Sequence, residues 1–436
     1  MKHRATILLT TFLSILPASA SQLIWSGGGR SVISVEPPSA SGLDEVCVVS
    51  GVDGRSVGLQ ASSASAVKWY RYSTLGGGYA EEITDVEYAD GVSSLRKLEP
   101  DMGYIAERGD ERYSFWVVDY SLHPFSVTGI TEGSEKDCLS TRLDVTGTGD
   151  EIAYHGINGR RFTLDREIKL TYRTLVPDSE NLNFVESVTT ETYPYIQSSI
   201  RVSPALCPTE FELVGDRFLM EWGEGVSYTS ETIAPYAVQA LTSATQSERD
   251  ADNEVNSDAA SSGFGGSAPC QITFEAAVTD AALFKEWQLS RFEDFEDAHL
   301  RFQELSFDYT FTEEGTTYVR FMCANADGSC EAYGDVYTVS IGASSLKCPN
   351  AFSPNGDGVN DEWKVSYSSI VSFDCHIFDR YGHEMASFSD PSLGWDGKYK
   401  GKLVPSGAYY YVIKARGADG KNYKLSGDIN IVNYEQ

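Results

Sequence analysis

The sequence predicts an all-β protein made of tandem immunoglobulin-like or PKD-like β-sandwiches, and three observations lead to this fold class. Most of the 436 residues fall in short alternating or apolar runs rich in Val, Ile, Tyr, Phe and Thr. Helical periodicity is almost absent, and the best helical window is short, at residues 290–305. The third observation is a turn that recurs along the chain.

This turn places a Gly shortly before a Tyr that begins a strand. It occurs at Tyr104, at Tyr318 and at Tyr409. Immunoglobulin-like sandwiches use such a Tyr because its ring packs in the core while its hydroxyl binds backbone at the corner. Three occurrences at domain-like separations predict three related sandwiches.

Length and charge limit the class of protein further. A chain of 436 residues suits three or four domains of about 100 residues. The formal net charge is −29. Because a phosphate-binding surface needs concentrated Lys and Arg, the charge argues against a nucleic-acid partner. A solvated, self-repelling exterior is expected instead.

The N-terminus has the pattern of a secretory signal peptide over residues 1–20. Basic residues 2–4 precede a short apolar run, and a small-x-small end predicts cleavage between Ala20 and Ser21. The alternative is a retained anchor helix, although the run is too short to span a bilayer stably.

The first sandwich is predicted at residues 21–137. In its strand VKWYRYS, alternation places Trp69 on one face and Tyr70 and Tyr72 on the other. Trp69 is interpreted as the core Trp. Tyr70 and Tyr72 are candidate partner contacts, because Tyr supplies rigid amphipathic area, and the alternative is that they merely fill the strand.

Three further boundaries follow from composition. A second sandwich is predicted at 138–241 and a third at 270–346. Between them, residues 242–269 are rich in Ser, Asp, Ala and Gly, which predicts a flexible linker or loop. The last domain is predicted at 347–436.

Eight cysteines in an exported chain favour disulfides. Eight cysteines allow 105 connectivities, so the pairing is open. The candidates are the pairs Cys138 with Cys207, Cys348 with Cys375, and Cys323 with Cys330. Zinc is not expected, since no CxxC pair occurs.

From Cys348 onward four motifs follow one another: CPNAFSPNGDGVNDEW, IFDRYGHEMASF, GWDGKYKGKLVPSGAYYYVIKARG and LSGDINIV. In this order they closely resemble the gliding-motility-associated C-terminal domain of Bacteroidetes exported proteins, over 89 residues. Asp379 and Tyr381 stand where the family often has Asn and Trp. The upstream domains loosely resemble the immunoglobulin-like and PKD-like repeats that precede it.

The resemblance implies export by type IX secretion, with this domain as the sorting signal after passage through the periplasm. It implies a secreted or cell-surface location associated with the outer membrane. The implied partners are the type IX machinery and an outer-membrane β-barrel protein. The ligand of the upstream domains, protein or glycan, is left open.

Two stretches of this domain contain candidate sites. The strand AYYYVI has apolar residues on both faces, and Tyr409 and Tyr411 are candidate docking residues, the alternative being core packing. The stretch PNGDGVND offers calcium ligands in Asn355, Asp357, Asp361 and the carbonyl of Val359. The alternative is a turn whose side chains bond their own main chain.

No catalytic motif supports an enzyme. A GxSxG match centred on Ser56 is flanked by strand-like sequence, whereas a nucleophile elbow needs a strand-to-helix turn. We therefore expect a non-catalytic binding or adhesion protein without a required cofactor. The alternatives are a surface hydrolase with a site assembled from loops, and a structural component of the gliding machinery.

Overall fold

The computed structural model describes residues 22–249, 251–255 and 263–432. These residues form 39 strands, one short α-helix and three 3-10 turns, which confirms the predicted all-β class. The predicted signal peptide, with Ala20 and Ser21, lies outside the described residues. Among the residues described, no helix has the length and apolar character needed to cross a membrane.

The first domain is a sandwich of ten strands. They are β1 (Ile24–Gly27), β2 (Ile33–Val35), β3 (Glu45–Val49), β4 (Arg55–Gln60), β5 (Lys68–Tyr72), β6 (Glu81–Ile83), β7 (Glu87–Ala89), β8 (Val92–Leu95), β9 (Met102–Arg108) and β10 (Glu111–Asp119). One sheet has the order β1-β4-β8-β7 and the other β2-β3-β10-β9-β5-β6. The 3-10 turns lie at Ser39–Ser41, Gly77–Tyr79 and Tyr120–Leu122.

The core between these two sheets is built on Trp69, as the strand alternation predicted. Trp69 is fully buried with Cys47, Phe115 and Val117, and its indole N–H donates to Ser93 Oγ at 3.0 Å. Buried indole N–H groups need such a partner. This face of the six-stranded sheet is therefore an ordinary sandwich core.

The opposite face of the same six-stranded sheet is buried too. Val46, Tyr72, Trp116 and Val118 alternate with the residues of the first core and belong to a second one. This second core continues without a break into the next domain through residues such as Leu143. The first two domains therefore share one hydrophobic core.

The second domain contains nine strands and the α-helix. They are β11 (Ser126–Glu132), β12 (Thr141–Thr148), β13 (Ile152–His155), β14 (Arg161–Leu164), β15 (Ile168–Asp178), β16 (Asn183–Tyr193), β17 (Ser199–Val202), β18 (Phe211–Gly215), α1 (Arg217–Glu221) and β19 (Val226–Thr229). Its sheets have the orders β11-β12-β17, β13-β14 and β16-β15-β18-β19.

A buried ion pair lies where the first two domains meet. Arg166 Nε donates to Asp216 Oδ2 at 2.7 Å, and both side chains are at most 1% exposed. Tyr120, from the end of the first domain, donates its hydroxyl to Asp216 at 3.0 Å. Arg166 also donates to the carbonyls of His123 and Asp150. These bonds offset much of the desolvation cost of the two charges.

The third domain contains nine strands. They are β20 (Ala240–Gln246), β21 (Phe264–Gly266), β22 (Cys270–Val278), β23 (Phe284–Ser290), β24 (Ala298–Phe302), β25 (Ser306–Phe311), β26 (Gly315–Ala324), β27 (Glu331–Tyr333) and β28 (Tyr337–Ile341). One sheet has the order β20-β22-β25, and the other β21-β28-β26-β23-β24 with β27 on β26. Trp287, Phe274 and Phe321 are fully buried between them.

One prediction in this region is wrong. The segment 242–269 is not a linker throughout, because β20 and β21 both reach into it and pair with β22 and β28. Polar residues can join a sheet because the ladder satisfies backbone groups whatever the side chains. The helical window 290–305 contains β24, whose Phe302 stacks on Phe307 at 4.3 Å.

The cysteine pairing also differs from the prediction. Cys138, in the loop between β11 and β12, is bonded to Cys330 of the third domain, 192 residues later. None of the three candidate pairs forms, and Cys207, Cys323, Cys348 and Cys375 are thiols. The pairing depends on how two domains pack together, and this cannot be inferred from which cysteines are close in the sequence.

The disulfide lies beside a polar cluster that binds the segment connecting the same two domains. Tyr236 donates its hydroxyl to Asp327 Oδ2 at 3.0 Å and lies 2.6 Å from Ser329 Oγ. Asn325 donates to the Tyr236 carbonyl. The second and third domains are thus joined by a covalent bond, and the segment that connects them is hydrogen-bonded to the third domain.

The fourth domain contains eleven strands. They are β29 (Ser345–Lys347), β30 (Ala351–Phe352), β31 (Trp363–Lys364), β32 (Ser366–Ser368), β33 (Ile370–Phe378), β34 (Glu384–Phe388), β35 (Gly394–Trp395), β36 (Lys398–Tyr399), β37 (Lys402–Leu403), β38 (Gly407–Gly417) and β39 (Asn422–Ile431). The main sheet has the order β30-β39-β38-β33-β34. All buried residues of its core lie between Phe352 and Ile431, so the fourth domain has a core of its own.

The fourth domain contacts the third domain and part of the predicted linker. Asn253 donates its side-chain amide to the carbonyls of Val365 and Pro391, and Val255 N donates to the Tyr367 carbonyl. Residues 251–255 therefore lie against the fourth domain.

The recurring Tyr turn is a true corner in two of its three occurrences. The Tyr104 hydroxyl accepts from Glu99 N at 2.7 Å, and Tyr409 donates to the Pro405 carbonyl at 2.9 Å. The prediction of a corner at Tyr318 is wrong, because the residues of β26 that enter the core are its neighbours Thr317 and Val319.

Candidate functional site in the C-terminal domain

The loop at residues 353–361 is held by its own side chains. Asp361 accepts from Gly356 N at 2.6 Å and Gly358 N at 2.7 Å, and Asp357 accepts from Val359 N at 2.8 Å. Asn355 donates to the second oxygen of Asp357 at 2.8 Å. The hydrogen bonds from Asn355 and Val359 lower the pKa of Asp357.

This geometry favours the turn over the calcium site. The oxygens of Asp357 and Asp361, needed as calcium ligands, are bonded to the turn's own N–H groups. Within the described ranges, no group of three or more His, Cys, Asp or Glu side chains is arranged to hold a metal ion. Calcium binding through these residues and the Val359 carbonyl stays a prediction.

The loop ends on a buried aromatic cluster that supports the tip of the domain. Trp363 is fully buried and donates its indole N–H to the Pro349 carbonyl at 2.7 Å. Trp395 packs between Phe352 and Tyr409, with ring centroids 5.6 and 5.1 Å away. This aromatic cluster thus anchors the chain segments that lead into and out of the neighbouring turns.

Strand β38 presents a different face from the one proposed for docking. Tyr409 is 7% exposed and Tyr411 packs on Trp363 at 5.2 Å, so both candidates point into the core. The exposed large apolar residues of the strand are Tyr410 at 45% and Val412 at 42%, and Lys414 and Arg416 are exposed on the same face. The alternation was correct, but the choice of the outward face was wrong.

The outward face is continuous with the neighbouring strand. Phe378 of β33 lies opposite Tyr410, and His376 lies opposite Val412. The two ring nitrogens of His376 are hydrogen-bonded to carboxylates. Nε2 lies 3.3 Å from Asp374 Oδ2, and Nδ1 lies 3.0 Å from Glu384 Oε2. We call Phe378, His376, Tyr410 and Val412 the open face.

The other pair of candidate contacts, Tyr70 and Tyr72, lies in the shared core. Tyr72 is 2% exposed and donates its hydroxyl to the His155 carbonyl at 3.0 Å. Tyr70 is half-buried against the same core. Their strand face is covered by the second domain, so the prediction of an exposed site is wrong for Tyr72.

The Ser56 match to a nucleophile elbow lies within a strand. Ser56 belongs to β4, pairs with Ser26 of β1, and places its hydroxyl 2.6 Å from the Ser26 hydroxyl. No strand-to-helix turn surrounds it, as the flanking sequence predicted.

A groove of about 590 Å³ opens at the tip of the fourth domain. We call it the tip groove, and its polar and aromatic walls come from Asp379, Arg380, Tyr381, His383, Tyr399 and Tyr409. The walls belong to the β33–β34 turn, the β36–β37 hairpin and the start of β38.

The tip groove was not predicted from the sequence, although its residues lie in the C-terminal motifs. The signal was the alternation of Lys398, Lys400 and Lys402 around Tyr399 in a short hairpin. The tight turn at Lys400 and Gly401, both with positive φ, is typical of a two-residue hairpin. Only the fold shows that this hairpin faces the β33–β34 turn.

Two family models match parts of the chain. Residues 130–230 match the fibronectin type III domain model Fn3_FA, and residues 346–431 match the CHU_C type IX secretion signal domain. A search of the curated proteins finds no match.

Two solved structures match much of the chain at low identity and low structural similarity. One is the three N-terminal domains of the highly immunogenic outer capsid protein Hoc of bacteriophage RB49, 13% identical, covering 71% of this chain and 100% of that chain, with a TM-score of 0.24. The other is the dimeric latent PorU of Porphyromonas gingivalis, 12% identical, covering 73% and 35%, with a TM-score of 0.15. Scores this low carry no inference about arrangement or function.

The two family matches agree with the geometry. The first falls on the second domain of the fold, and the second begins within β29 and ends with β39. A type IX secretion signal implies interaction with the type IX machinery and export to the cell surface or the medium. The chain is thus a multidomain exported protein with a fibronectin type III domain upstream and a C-terminal CHU_C type IX secretion signal domain.

Proposed function

We propose that this exported chain is a non-catalytic, adhesion-type binding protein held at the outer membrane by a β-barrel partner that docks on the open face. The observation that carries the proposal is the exposure of Tyr410 and Val412 on a sheet whose other face is fully packed. Aromatic and aliphatic residues exposed together on a rigid sheet are typical of interaction sites.

The joints between the upstream domains support a binding role. The first two domains share a core, and the disulfide between Cys138 and Cys330 joins the second to the third. Such joints limit hinge motion and hold a surface at a fixed distance from the fourth domain. A stiff arm suits presentation of a binding surface.

The test replaces Tyr410 and Val412 together by Ser in the full chain. Both side chains are exposed, so we expect a change of at most about 0.5 kcal/mol in stability. We expect the variant to be exported and then released into the medium, whereas the wild type stays on the cells. Tyr88→Ser, on the first domain and 39% exposed, is the matched control.

Protease accessibility of intact cells and immunoblots of the medium measure this distribution. Normal retention of the double variant contradicts docking on the open face. Deletion of residues 346–431 should instead leave the chain in the periplasm, and surface display of that truncation contradicts the sorting role. The two variants thus separate anchoring from export.

A further inference from the structure

We propose that the tip groove binds an anionic saccharide, whose sugar ring packs on the exposed tyrosines while its acid group pairs with the surrounding cations. The proposal rests on the binding function above and names a ligand class for a second surface of the same domain. The open face and the tip groove have no residue in common, so each can be tested without the other.

The aromatic walls of the tip groove are accessible. Tyr381 is 71% exposed and Tyr399 is 38% exposed, although both belong to a folded turn or hairpin. The Arg380 guanidinium lies 4.9 Å from the Tyr381 ring centroid, and Lys400 Nζ lies 5.0 Å from that of Tyr399. Each ring is thus paired with a cation, an arrangement in which stacking and charge pairing can act on one ligand.

The cations around the tip groove are not neutralised by carboxylates. Arg380, Lys400 and Lys402 form no ion pair with any residue in the described ranges, whereas Lys398 is paired with Asp396 at 2.7 Å. Arg380 lines the tip groove, Lys400 lies over the Tyr399 ring, and Lys402 is the strand partner of Tyr399. One exposed positive charge is therefore in the wall of the groove, and two lie beside it. Such cations pair readily with carboxylate or phosphate oxygens.

The one carboxylate in the tip groove is already bonded within its own turn. Asp379 accepts from Tyr381 N at 2.8 Å and from His383 N at 2.9 Å, and its other oxygen lies 2.9 Å from His383 Nδ1. These hydrogen bonds outweigh the desolvation of Asp379 and lower its pKa. Asp379 acts as a structural part of the turn.

The charge of the whole chain makes this site distinctive. Residues 1–348 carry 52 acidic and 25 basic side chains, while residues 349–436 carry 11 and 9. An anionic ligand is therefore repelled by the upstream domains much more strongly than by the fourth domain, where acidic and basic side chains nearly balance. The same asymmetry would turn the tip towards an anionic polysaccharide and the acidic domains away from it.

Exposed tyrosine rings favour a saccharide over an acidic peptide as the ligand. The C–H face of a sugar ring is flat and apolar and matches an aromatic ring, while its hydroxyls stay in water at an open groove. An acidic peptide supplies carboxylates without such a face. Binding of an acidic peptide is therefore measured in the same experiment as the competing result.

The experiment titrates the purified full chain by calorimetry with trigalacturonate and with mannose 6-phosphate. Uncharged galactotriose is the comparison for trigalacturonate, and poly-glutamate and phosphatidylglycerol vesicles are the other anionic probes. We expect at least one charged sugar to bind about tenfold or more tightly than galactotriose. Binding should weaken as salt rises from about 50 to 300 mM, because exposed charges are screened.

The variants separate charge from ring packing. Arg380→Gln, Lys400→Gln and Lys402→Gln combined should weaken binding of the charged sugar about tenfold or more. Lys421→Gln with Lys424→Gln, at the other end of the β38–β39 hairpin, is the control and should change nothing. Tyr381→Ala should weaken the charged sugar at low and high salt alike.

Three results overturn the proposal: no binding of either charged sugar, poly-glutamate binding as tightly as they do, or binding confined to the vesicles. A triple variant that binds like the wild type also overturns it. The titration uses protein in solution and leaves the open face intact. Its failure is therefore distinct from a failure of anchoring, which is measured on cells.

Discussion

Two sheets of this protein look alike in sequence and differ in what covers them. Strand β5 of the first domain and β38 of the last both carry aromatic side chains on both faces. In the first domain a second sandwich covers the outer face, and Tyr72 is 2% exposed. In the last domain the outer face is open, and Tyr410 is 45% exposed.

This difference separates a structural face from one available to a partner. A strand pattern reports that both faces are apolar but not which neighbour lies on them. The covered face adds to a shared core, so its residues are expected to stabilise two domains at once. The open face contributes little to folding, so its residues can change at a small cost in stability.

The largest effect is expected from breaking the buried ion pair beneath the covered face. Arg166→Met leaves Asp216 buried without its cation, which should cost about 3–5 kcal/mol. Hydrogen exchange of peptides from β10 and β18 should show loss of protection in both domains together. Arg173→Met is the control. Arg173 is exposed, and its ion pair with Glu186 is long, at 3.7 Å, so its loss should cost little stability.

Loss of protection confined to one of the two domains would contradict a shared core. Protection in the fourth domain should stay at the wild-type level in either variant, because that domain has its own core. One hydrogen-exchange experiment therefore tests whether the fourth domain is stable independently of the first two domains.

A smaller effect is expected from the bond between the second and third domains. Cys138→Ser with Cys330→Ser should lower the stability of the joined domains by about 2–4 kcal/mol, since the bond limits the unfolded chain. Thermal unfolding with and without a reductant measures this. The reductant should lower the wild-type transition and leave the double variant unchanged.

An equal effect of the reductant on both proteins would contradict the pairing of Cys138 with Cys330. The six remaining cysteines are thiols, so they supply no other bond for the reductant to break. The fourth domain should unfold at the same temperature throughout.

The tyrosines of the recurring turn allow the first, third and fourth domains to be compared through the loss of one hydroxyl group. Tyr104→Phe and Tyr409→Phe each remove a hydroxyl bonded to backbone and should cost about 0.5–1.5 kcal/mol. Tyr318→Phe should be neutral, because its side chain lies off the core face of β26. Urea unfolding of the three variants gives the order, and a costly Tyr318→Phe would contradict the placement of that ring.

Local rules predicted what local physics decides. Alternation located Trp69 in a core, and turn chemistry located the corners at Tyr104 and Tyr409. The motifs after Cys348 predicted the secretion signal domain that the family model confirms. Each of these depends on residues close together in the chain.

Contacts between domains were not predictable in this way. Cys330 pairs with a residue 192 positions away, and Tyr72 is buried by a separate domain. Most of strand β20 falls in the predicted linker, because its polar sequence gives no sign that β22 lies beside it. The tip groove is likewise assembled from three separated segments of the chain.

The smallest effect concerns the titration of His376 on the open face. Its hydrogen bond with Glu384, and then the charge of Asp374, raise the pKa of His376 above the usual value of about 6.5. Because the folded-state pKa is the higher one, this contribution to stability is fully present below the unfolded pKa and is lost as pH rises through the folded pKa. The side chain is 37% exposed, so the gain is screened by solvent and small.

An NMR titration of the ring measures this pKa directly. Glu384→Gln should lower it towards the usual value, while Glu362→Gln, on a separate loop, should leave it unchanged. A ring that does not titrate between about pH 5 and 8 would mean that the face is covered. That result would remove the difference between the two sheets, because β38 would then be buried on both sides as β5 is.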